Sequence, residues 1–118
     1  MSRILVIDDH AAIRQLWVRV LSKAGYDVVE GFDGEDGVLQ FAQHDVDLVI
    51  TDWTMPGKNG GEVIQEVRRQ DPDVKVILVT ANSPEADLAA AELKVEKQLT
   101  KPVTLQGLLE SVERVLRG

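Results

Sequence analysis

The 118-residue sequence contains no cysteine, which excludes a disulfide framework, a thiolate metal site and a cysteine nucleophile. Such a chain suits a reducing compartment, and we expect a cytoplasmic location. It also lacks any apolar run close to the roughly 20 residues that span a bilayer. The short apolar segment after Met1 reaches two aspartates too soon for a signal peptide. These absences predict a protein with no membrane partner.

Positive charge is scarce, because 13 Lys and Arg residues face 20 Asp and Glu residues and leave a net charge of -7. A negative protein is repelled by nucleic acid backbones and by anionic lipid surfaces. We therefore expect no direct contact with nucleic acid. The length suits one domain with its own core, and we expect a single domain over residues 1–118.

Short apolar runs, mostly rich in β-branched residues, alternate with segments of helical period and predict five strands. The first, third and fourth runs are apolar almost without a break, which is typical of strands covered on both faces. The second and fifth runs are weaker, and we expect them at the edges of a sheet. The runs cover residues 4–7, 27–29, 48–50, 74–79 and 95–99.

A helical pattern follows each predicted strand. The apolar stripe that includes Ile13, Leu16 and Trp17 is predicted to face the core, and we interpret Trp17 as a packing residue. The fourth helix begins with a cap and a proline but has a thin apolar face of alanines and Leu88, so we expect it to be the least stable. The predicted segments are 13–24 before Gly25, 38–42 after Asp33 with Val38 and Leu39 inward, 63–67 after Gly60-Gly61, 83–88, and 105–116 after Thr104.

This order of elements predicts an α/β domain. Short connections between strand, helix and strand require parallel pairing with right-handed crossovers, so helices cover both faces of a doubly wound parallel sheet. Of the two common strand orders in such sheets, 2-1-3-4-5 is the one that has five strands. Ligands bind at the carboxyl ends of the strands, where the strand order reverses.

Polar side chains follow the predicted strands at that edge. Asp8 and Asp9 follow the first strand, Asp52 follows the third, Thr80 ends the fourth and Lys101 follows the fifth. Three carboxylates held close together repel one another unless a cation lies among them. Carboxylate and backbone oxygens suit Mg²⁺, with Mn²⁺ as an alternative.

Each of these residues has an ordinary explanation when it is taken alone. Asp8 or Asp9 can cap a helix, Asp52 can begin a turn, Thr80 can be a plain strand residue and Lys101 can be a surface lysine. Their coincidence at one edge of one sheet favours a functional site.

The two histidines are interpreted as surface residues. His10 adjoins the acidic pair and is a candidate ligand, but we favour a solvated histidine at a helix start. His44 lies in a polar loop.

With these anchors in this order, the chain resembles the receiver domains of two-component response regulators over essentially its whole length. The anchors are Asp8-Asp9, Asp52 within residues 49–57, Thr80-Ala81 and Lys101-Pro102. The resemblance implies a CheY-like, flavodoxin-like fold with five βα units and a receiver domain over residues 1–118. It implies a phosphorylation-dependent switch that catalyses only its own phosphorylation and dephosphorylation, and a cis peptide before Pro102.

The resemblance also implies residue roles. Asp52 would accept the phosphoryl group, and Thr80 and Lys101 would bind the phosphoryl oxygens. Thr54 and Asn82 would flank the attacking water and tune the phosphoryl lifetime. The implied Mg²⁺ ligands are Asp8, Asp9, Asp52 and the backbone carbonyl of Trp53.

The implied partners are a sensor histidine kinase or a histidine phosphotransfer protein as phosphoryl donor, and a downstream protein target or output domain. The face built from helix four, strand five and helix five would change on phosphorylation. Gln98 departs from the family pattern, because that switch position usually carries Tyr or Phe. A degenerate receiver that acts as a phosphorylation-independent interaction module therefore stays open, although the intact acidic set argues against it.

Two other classes fit less well. A haloacid dehalogenase type of enzyme needs a second Asp two residues after the nucleophile, where this chain has Thr54. A flavodoxin-like cofactor binder needs a glycine- and hydroxyl-rich loop after the first strand, where this chain has two carboxylates. No glycine-rich nucleotide-binding motif occurs.

Overall fold

Five strands and five helices alternate along the chain in the computed structural model, which describes residues 1–118. None of the helices combines the length and the apolar character that a bilayer crossing requires. The strands are β1 (Arg3–Ile7), β2 (Asp27–Gly31), β3 (Leu48–Asp52), β4 (Lys75–Thr80) and β5 (Lys97–Thr100). The helices are α1 (Ala11–Lys23), α2 (Gly34–Gln43), α3 (Gly60–Gln70), α4 (Pro84–Glu92) and α5 (Leu105–Arg117).

The strands form one parallel sheet in the order β2-β1-β3-β4-β5, which confirms the predicted order. The two weakest apolar runs are the edge strands, as expected, because an edge strand has a neighbour on one side only. The central strands β1, β3 and β4 are buried almost throughout, since helices cover both faces of the sheet.

Alternate residues of the central strands supply two separate cores. Ile4, Val6 and Ile50 point to the face covered by α1 and α5, where they join Trp17 and Leu108. The next residues along the strands point to the other face. That core contains Leu5, Ile7, Val49 and Leu78, with Phe41 of α2, Val63, Ile64 and Val67 of α3, and Ala86 and Ala90 of α4.

The predicted burial of the α1 stripe is only partly correct. Trp17 and Leu21 are buried, which confirms the packing role of Trp17, but Ile13 and Leu16 are 36% and 42% exposed. Ile13 and Leu16 border an open groove between α1 and the β5–α5 loop instead of the core.

Two other helices bury different residues from those predicted. In α2 the close-packed face consists of small glycines and Phe41, while Leu39 is exposed. In α4 the inner face contains Ala86 and Ala90, one turn apart, and Leu88 lies on the outside. The apolar contact of α4 with the sheet is therefore even thinner than the sequence predicts.

Side-chain caps begin four of the helices. Ser83 and Thr104 accept hydrogen bonds from Ala86 N–H and Gly107 N–H, as their positions predict. Asn59 and Glu62 form a capping box at α3. The helix predicted after the glycine pair did not include this capping box. The fourth cap is Asp33, at the start of α2.

The α3 cap sets Gly60 directly against the end of β3. Gly60 N–H donates to the Trp53 carbonyl over 2.8 Å, and a Cβ on Gly60 would lie 2.5 Å from the Asp52 carbonyl oxygen. Neither backbone can give way without moving the strand end. Only glycine fits this contact, so α3 and β3 are locked together beside Asp52.

We expect Gly60→Ala to lower the free energy of unfolding by about 1 to 3 kcal/mol, the usual range for overpacking. Urea denaturation of the variant measures this change. Gly118→Ala, at the exposed end of the chain, is the matched control and should stay within about 0.5 kcal/mol of the wild type. Equal stability of Gly60→Ala and the wild type would contradict the predicted close contact.

Candidate functional site

The sheet register brings the strand ends together at one edge. Ile7 pairs with Thr51, which sets Asp8 beside Asp52, and Asp52 itself pairs with Val79. Thr80, which follows Val79, pairs with Thr100 of the adjacent strand β5. Lys101 is the residue after Thr100. Every residue that the sequence places after a strand therefore lies at this edge.

Asp52 lies at the centre of this edge and is 4% exposed. Its carboxylate oxygen Oδ2 accepts a hydrogen bond from Lys101 Nζ over 2.9 Å. The Lys101 backbone is itself held, because its N–H donates to the Thr80 carbonyl and its peptide with Pro102 is cis, as the resemblance implies. This ion pair joins β3 to the β5–α5 loop across the end of β4.

Two further carboxylates and a histidine surround Asp52. Asp8, Asp9, His10 and Asp52 each offer one ligand atom, and these atoms all lie within 4.8 Å of one another. The side chain of Asp8 is 2% exposed and that of Asp9 is 28% exposed. The oxygen Oδ1 of Asp9 is buried and makes no hydrogen bond.

The electrostatics of the cluster are unfavourable without a cation. Burial raises the pKa of Asp8 above its ordinary value of 3.8, and the Asp52 carboxylate raises it further. A hydrogen bond from the His10 N–H to Asp8 Oδ1, over 2.9 Å, acts in the opposite direction but does not cancel the burial. Of the three carboxylates, Asp52 is the one that pairs with an ammonium, that of Lys101.

The donor set fits Mg²⁺. Buried carboxylate oxygens, one of them without any partner, are the hard ligands that this ion prefers. Their mutual repulsion is relieved by a divalent cation among them.

Thr80 adds an unsatisfied donor to the same edge. The residue is fully buried, and its hydroxyl Oγ1 has no hydrogen-bond partner. A buried hydroxyl without a partner costs free energy, so it marks a place where a ligand oxygen can bind.

The two residues predicted to tune the phosphoryl lifetime lie at different distances from the cavity above Asp52. Thr54 is exposed and borders the open cavity above Asp52, together with Asp9, His10 and Ala81. Asn82 lies in the β4–α4 loop with a φ of 70° and is exposed. The structure thus puts Thr54 at the rim of the site and Asn82 just beyond it.

The Trp53 carbonyl, the backbone member of the expected ligand set, lies against the start of α3. It accepts a hydrogen bond from Gly60 N–H at the start of α3, and Trp53 does not border the cavity. Thr54 does border the cavity, so its backbone is a second candidate for the oxygen ligand. The metal-binding role of the Trp53 carbonyl stays a prediction.

Gln98, the expected switch position, lies outside the cluster. Its side-chain Nε2 donates to Asp87 Oδ1 of α4 over 2.6 Å, and the side chain is half-buried. The position therefore joins β5 to α4 through a hydrogen bond.

Sequence reasoning missed the support behind the acidic pair. Arg14 on α1 donates from Nη1 to the Asp8 carbonyl over 2.8 Å and from Nε to Glu30 over 3.0 Å. It thus fastens the Asp8 backbone to α1 and to the neighbouring strand β2. No local pattern could reveal this, because the contacts join three segments that are separate in the sequence.

Residues 4–113 match the family model of the response regulator receiver domain. A probable transcriptional regulator, ycf27 of Porphyridium aerugineum, is 38% identical over 117 residues, which are 98% of this chain and 48% of that protein. The chain spans about half the length of the curated relatives it matches.

Solved structures agree in fold. A CheY-like receiver domain protein from Methanospirillum hungatei has a TM-score of 0.95 and 26% identity, with 99% of this chain and 94% of that chain covered. The response regulator TrrA of Thermotoga maritima, solved in complex with Mg²⁺ and BeF, has a TM-score of 0.86 and 36% identity, with 98% of this chain and 99% of that chain covered.

We expect Asp8→Asn to stabilise the protein at pH 7 in the presence of a chelator. Because the pKa of Asp8 is raised in the folded state, the unfolded chain loses this proton first as the pH rises above 3.8. The free energy of unfolding of the wild type therefore decreases as the pH rises from 3.8 to the raised pKa of Asp8 in the folded state. The variant has no carboxyl group at this position and should not show this decrease. Denaturation series at several pH values measure the difference.

Asp45→Asn, at an exposed aspartate in the loop after α2, is the matched control and should follow the wild type. Added Mg²⁺ should stabilise the wild type more than Asp8→Asn, since one ligand is lost. A variant that is less stable than the wild type without metal would contradict the predicted repulsion.

Proposed function

The chain belongs to the response regulator receiver domain family, and we propose that it is a signalling switch that accepts a phosphoryl group on Asp52. Receiver domains are signalling modules of two-component systems and not classical enzymes. The observation that carries the proposal is the buried Asp52 carboxylate, with Lys101 Nζ at 2.9 Å and two further carboxylates beside it. This is a nucleophile that already has its charge-compensating partner.

Phosphoryl transfer to Asp52 needs few chemical steps. A carboxylate oxygen of Asp52 attacks phosphorus, and the bond from phosphorus to the donor nitrogen or oxygen breaks as the acyl phosphate forms. Negative charge spreads over the equatorial oxygens of the phosphoryl group. Lys101 Nζ, already within hydrogen-bond distance of Asp52, would bind one of these oxygens.

Asp8, Asp9, Asp52 and a backbone carbonyl of Trp53 or Thr54 would hold the metal ion. Mg²⁺, or Mn²⁺ in its place, would supply charge compensation for the phosphoryl oxygens when it is bound. The relative TrrA was solved with Mg²⁺ and BeF, which supports the same assignment for this chain.

The buried hydroxyl of Thr80 would bind another phosphoryl oxygen and so transmit the change. It lacks a partner now, and a new hydrogen bond there would draw the end of β4 and the following loop toward Asp52. Thr54 borders the cavity above Asp52, and Asn82 follows the cavity residue Ala81, so both would influence how fast water reaches the acyl phosphate.

The phosphoryl donor would be a phosphohistidine on a sensor histidine kinase or on a phosphotransfer protein in the cytoplasm. The partner that responds would be a downstream protein target or an output domain. Gln98 replaces the usual aromatic residue and donates a hydrogen bond to Asp87. For this reason a phosphorylation-independent interaction module is the second candidate function.

Intact mass measured after incubation with acetyl phosphate and Mg²⁺ separates the two candidates. We expect the wild type to gain one phosphoryl group, Asp52→Asn to gain none, and the control Asp45→Asn to behave like the wild type. An unmodified wild type would support the interaction module. A labelled Asp52→Asn would place the acceptor elsewhere.

Helix α4 is the element that phosphorylation would displace. Only Ala86 and Ala90 of this helix are buried, so its attachment to the sheet contributes little apolar area. Its far end is held by Arg68, which donates to the carbonyls of Leu93 and Lys94 and pairs with Glu96. The end next to Thr80 is joined to β5 by only the one hydrogen bond from Gln98 to Asp87, so we expect α4 to move there.

We expect Thr80→Ala to reduce greatly the change in amide hydrogen exchange of residues 81–93 on phosphorylation, and Gln98→Ala to leave this change nearly intact. The bond from Gln98 to Asp87 is near the surface, and such a hydrogen bond contributes only about 0.5 to 1.5 kcal/mol. Hydrogen exchange with mass spectrometry, with and without acetyl phosphate and Mg²⁺, measures both variants. The opposite result would mean that the coupling passes through position 98.

A further inference from the structure

His10 lies closer to the acidic cluster than the sequence suggests. Its ring nitrogen Nδ1 is 3.5 Å from Asp8 Oδ1 and 3.5 Å from Asp9 Oδ1. The ring is thus directed at both carboxylates and borders the same cavity as Asp52. His10 is exposed at the start of α1, as the sequence predicts, and its ring also lies beside the acidic pair.

The backbone holds His10 in this place. His10 is the N-cap residue of α1, with extended φ and ψ of -85° and 100°, but its side chain makes no capping hydrogen bond. Its N–H instead donates to Asp8 Oδ1 over 2.9 Å. The imidazole is therefore not needed to begin the helix, and its nitrogen faces the carboxylates.

These distances are those of ligands around one ion. Ligand atoms about 2.1 Å from a metal lie about 3 to 4.2 Å apart in octahedral geometry. The His10 nitrogen meets this range with Asp8 and Asp9, and the whole set of ligand atoms, Asp52 included, lies within 4.8 Å. The ring is 64% exposed, so small movements that complete the coordination are open to it.

We infer that His10 is a metal ligand that gives this acidic site a preference for divalent cations that accept imidazole, such as Zn²⁺. The inference rests on the proposed function, since the carboxylate ligands are the same. An all-oxygen site suits Mg²⁺, whereas an added imidazole nitrogen favours zinc and its neighbours among the transition metals. Mg²⁺ binding would not depend on His10.

The direct test is nuclear magnetic resonance of the imidazole nitrogens in the ¹⁵N-labelled chain, titrated with Zn²⁺ and separately with Mg²⁺. The chain has only two histidines, so assignment is simple. We expect Zn²⁺ to shift one ring nitrogen of His10 strongly and Mg²⁺ to shift it little. His44, whose Nδ1 lies 2.9 Å from the Gln40 carbonyl, should not respond. Excess Mg²⁺ should raise the Zn²⁺ concentration needed for the His10 shift, because both ions occupy one site.

Calorimetric titrations of His10→Gln and of the control His44→Gln complete the test. We expect His10→Gln to lose at least about tenfold in Zn²⁺ affinity. Removing a residue that only hydrogen-bonds a metal ligand already costs about 10- to 100-fold, so the loss of a ligand should cost no less. Its Mg²⁺ affinity should stay within about twofold of the wild type, since Mg²⁺ prefers oxygen ligands. His44→Gln should match the wild type for both ions.

The outcomes separate this inference from the proposed function. Mg²⁺ binding with no Zn²⁺ shift at His10, or equal losses for both ions in His10→Gln, would overturn the role of His10 and leave the proposed switch intact. A Zn²⁺ affinity that excess Mg²⁺ leaves unchanged would place the zinc elsewhere and also overturn it. No binding of either ion to the wild type would overturn both.

Discussion

Mutual repulsion among three carboxylates at one edge of the sheet is the constraint on which the rest of this structure depends. Asp8 and Asp52 are buried, and Asp9 has a buried oxygen without a partner. Lys101 compensates one charge, at 2.9 Å from Asp52. The other negative charges repel one another in the folded state. A bound cation, alone or together with a phosphoryl group, would relieve this repulsion. The residues proposed to bind the ligand are thus also the ones whose burial is unfavourable.

The surrounding fold supplies rigid support for this unfavourable arrangement. Parallel pairing of β1, β3 and β4 fixes the strand ends side by side. Arg14 fastens the Asp8 backbone, and Gly60 brings α3 into direct contact with the end of β3. The strain is tolerated because two dense cores, one on each face, keep the strands in place. A looser scaffold would separate the carboxylates instead of presenting them to a ligand.

Rigidity is not uniform, and its distribution favours a switch. The central strands are buried almost throughout, whereas α4 contacts the core through two alanines. Arg68 holds the far end of α4, and the end beside Thr80 is bound more weakly. A change at Thr80 therefore meets the least resistance in the β4–α4 loop. Gln98 adds a single polar bond to α4 in place of the apolar area of an aromatic ring.

The sequence by itself determined the order of elements, the parallel sheet and the gathering of Asp8, Asp52 and Lys101 at one edge, because these follow from periodicity and short connections. Only the tertiary structure decided which helical faces are buried: the α1 stripe predicted burial of Ile13, which instead borders an open groove beside the β5–α5 loop. It also decided the directions of the Trp53 carbonyl and the His10 ring. Those directions depend on the cap of α3 and on one backbone hydrogen bond, and spacing along the chain does not encode them.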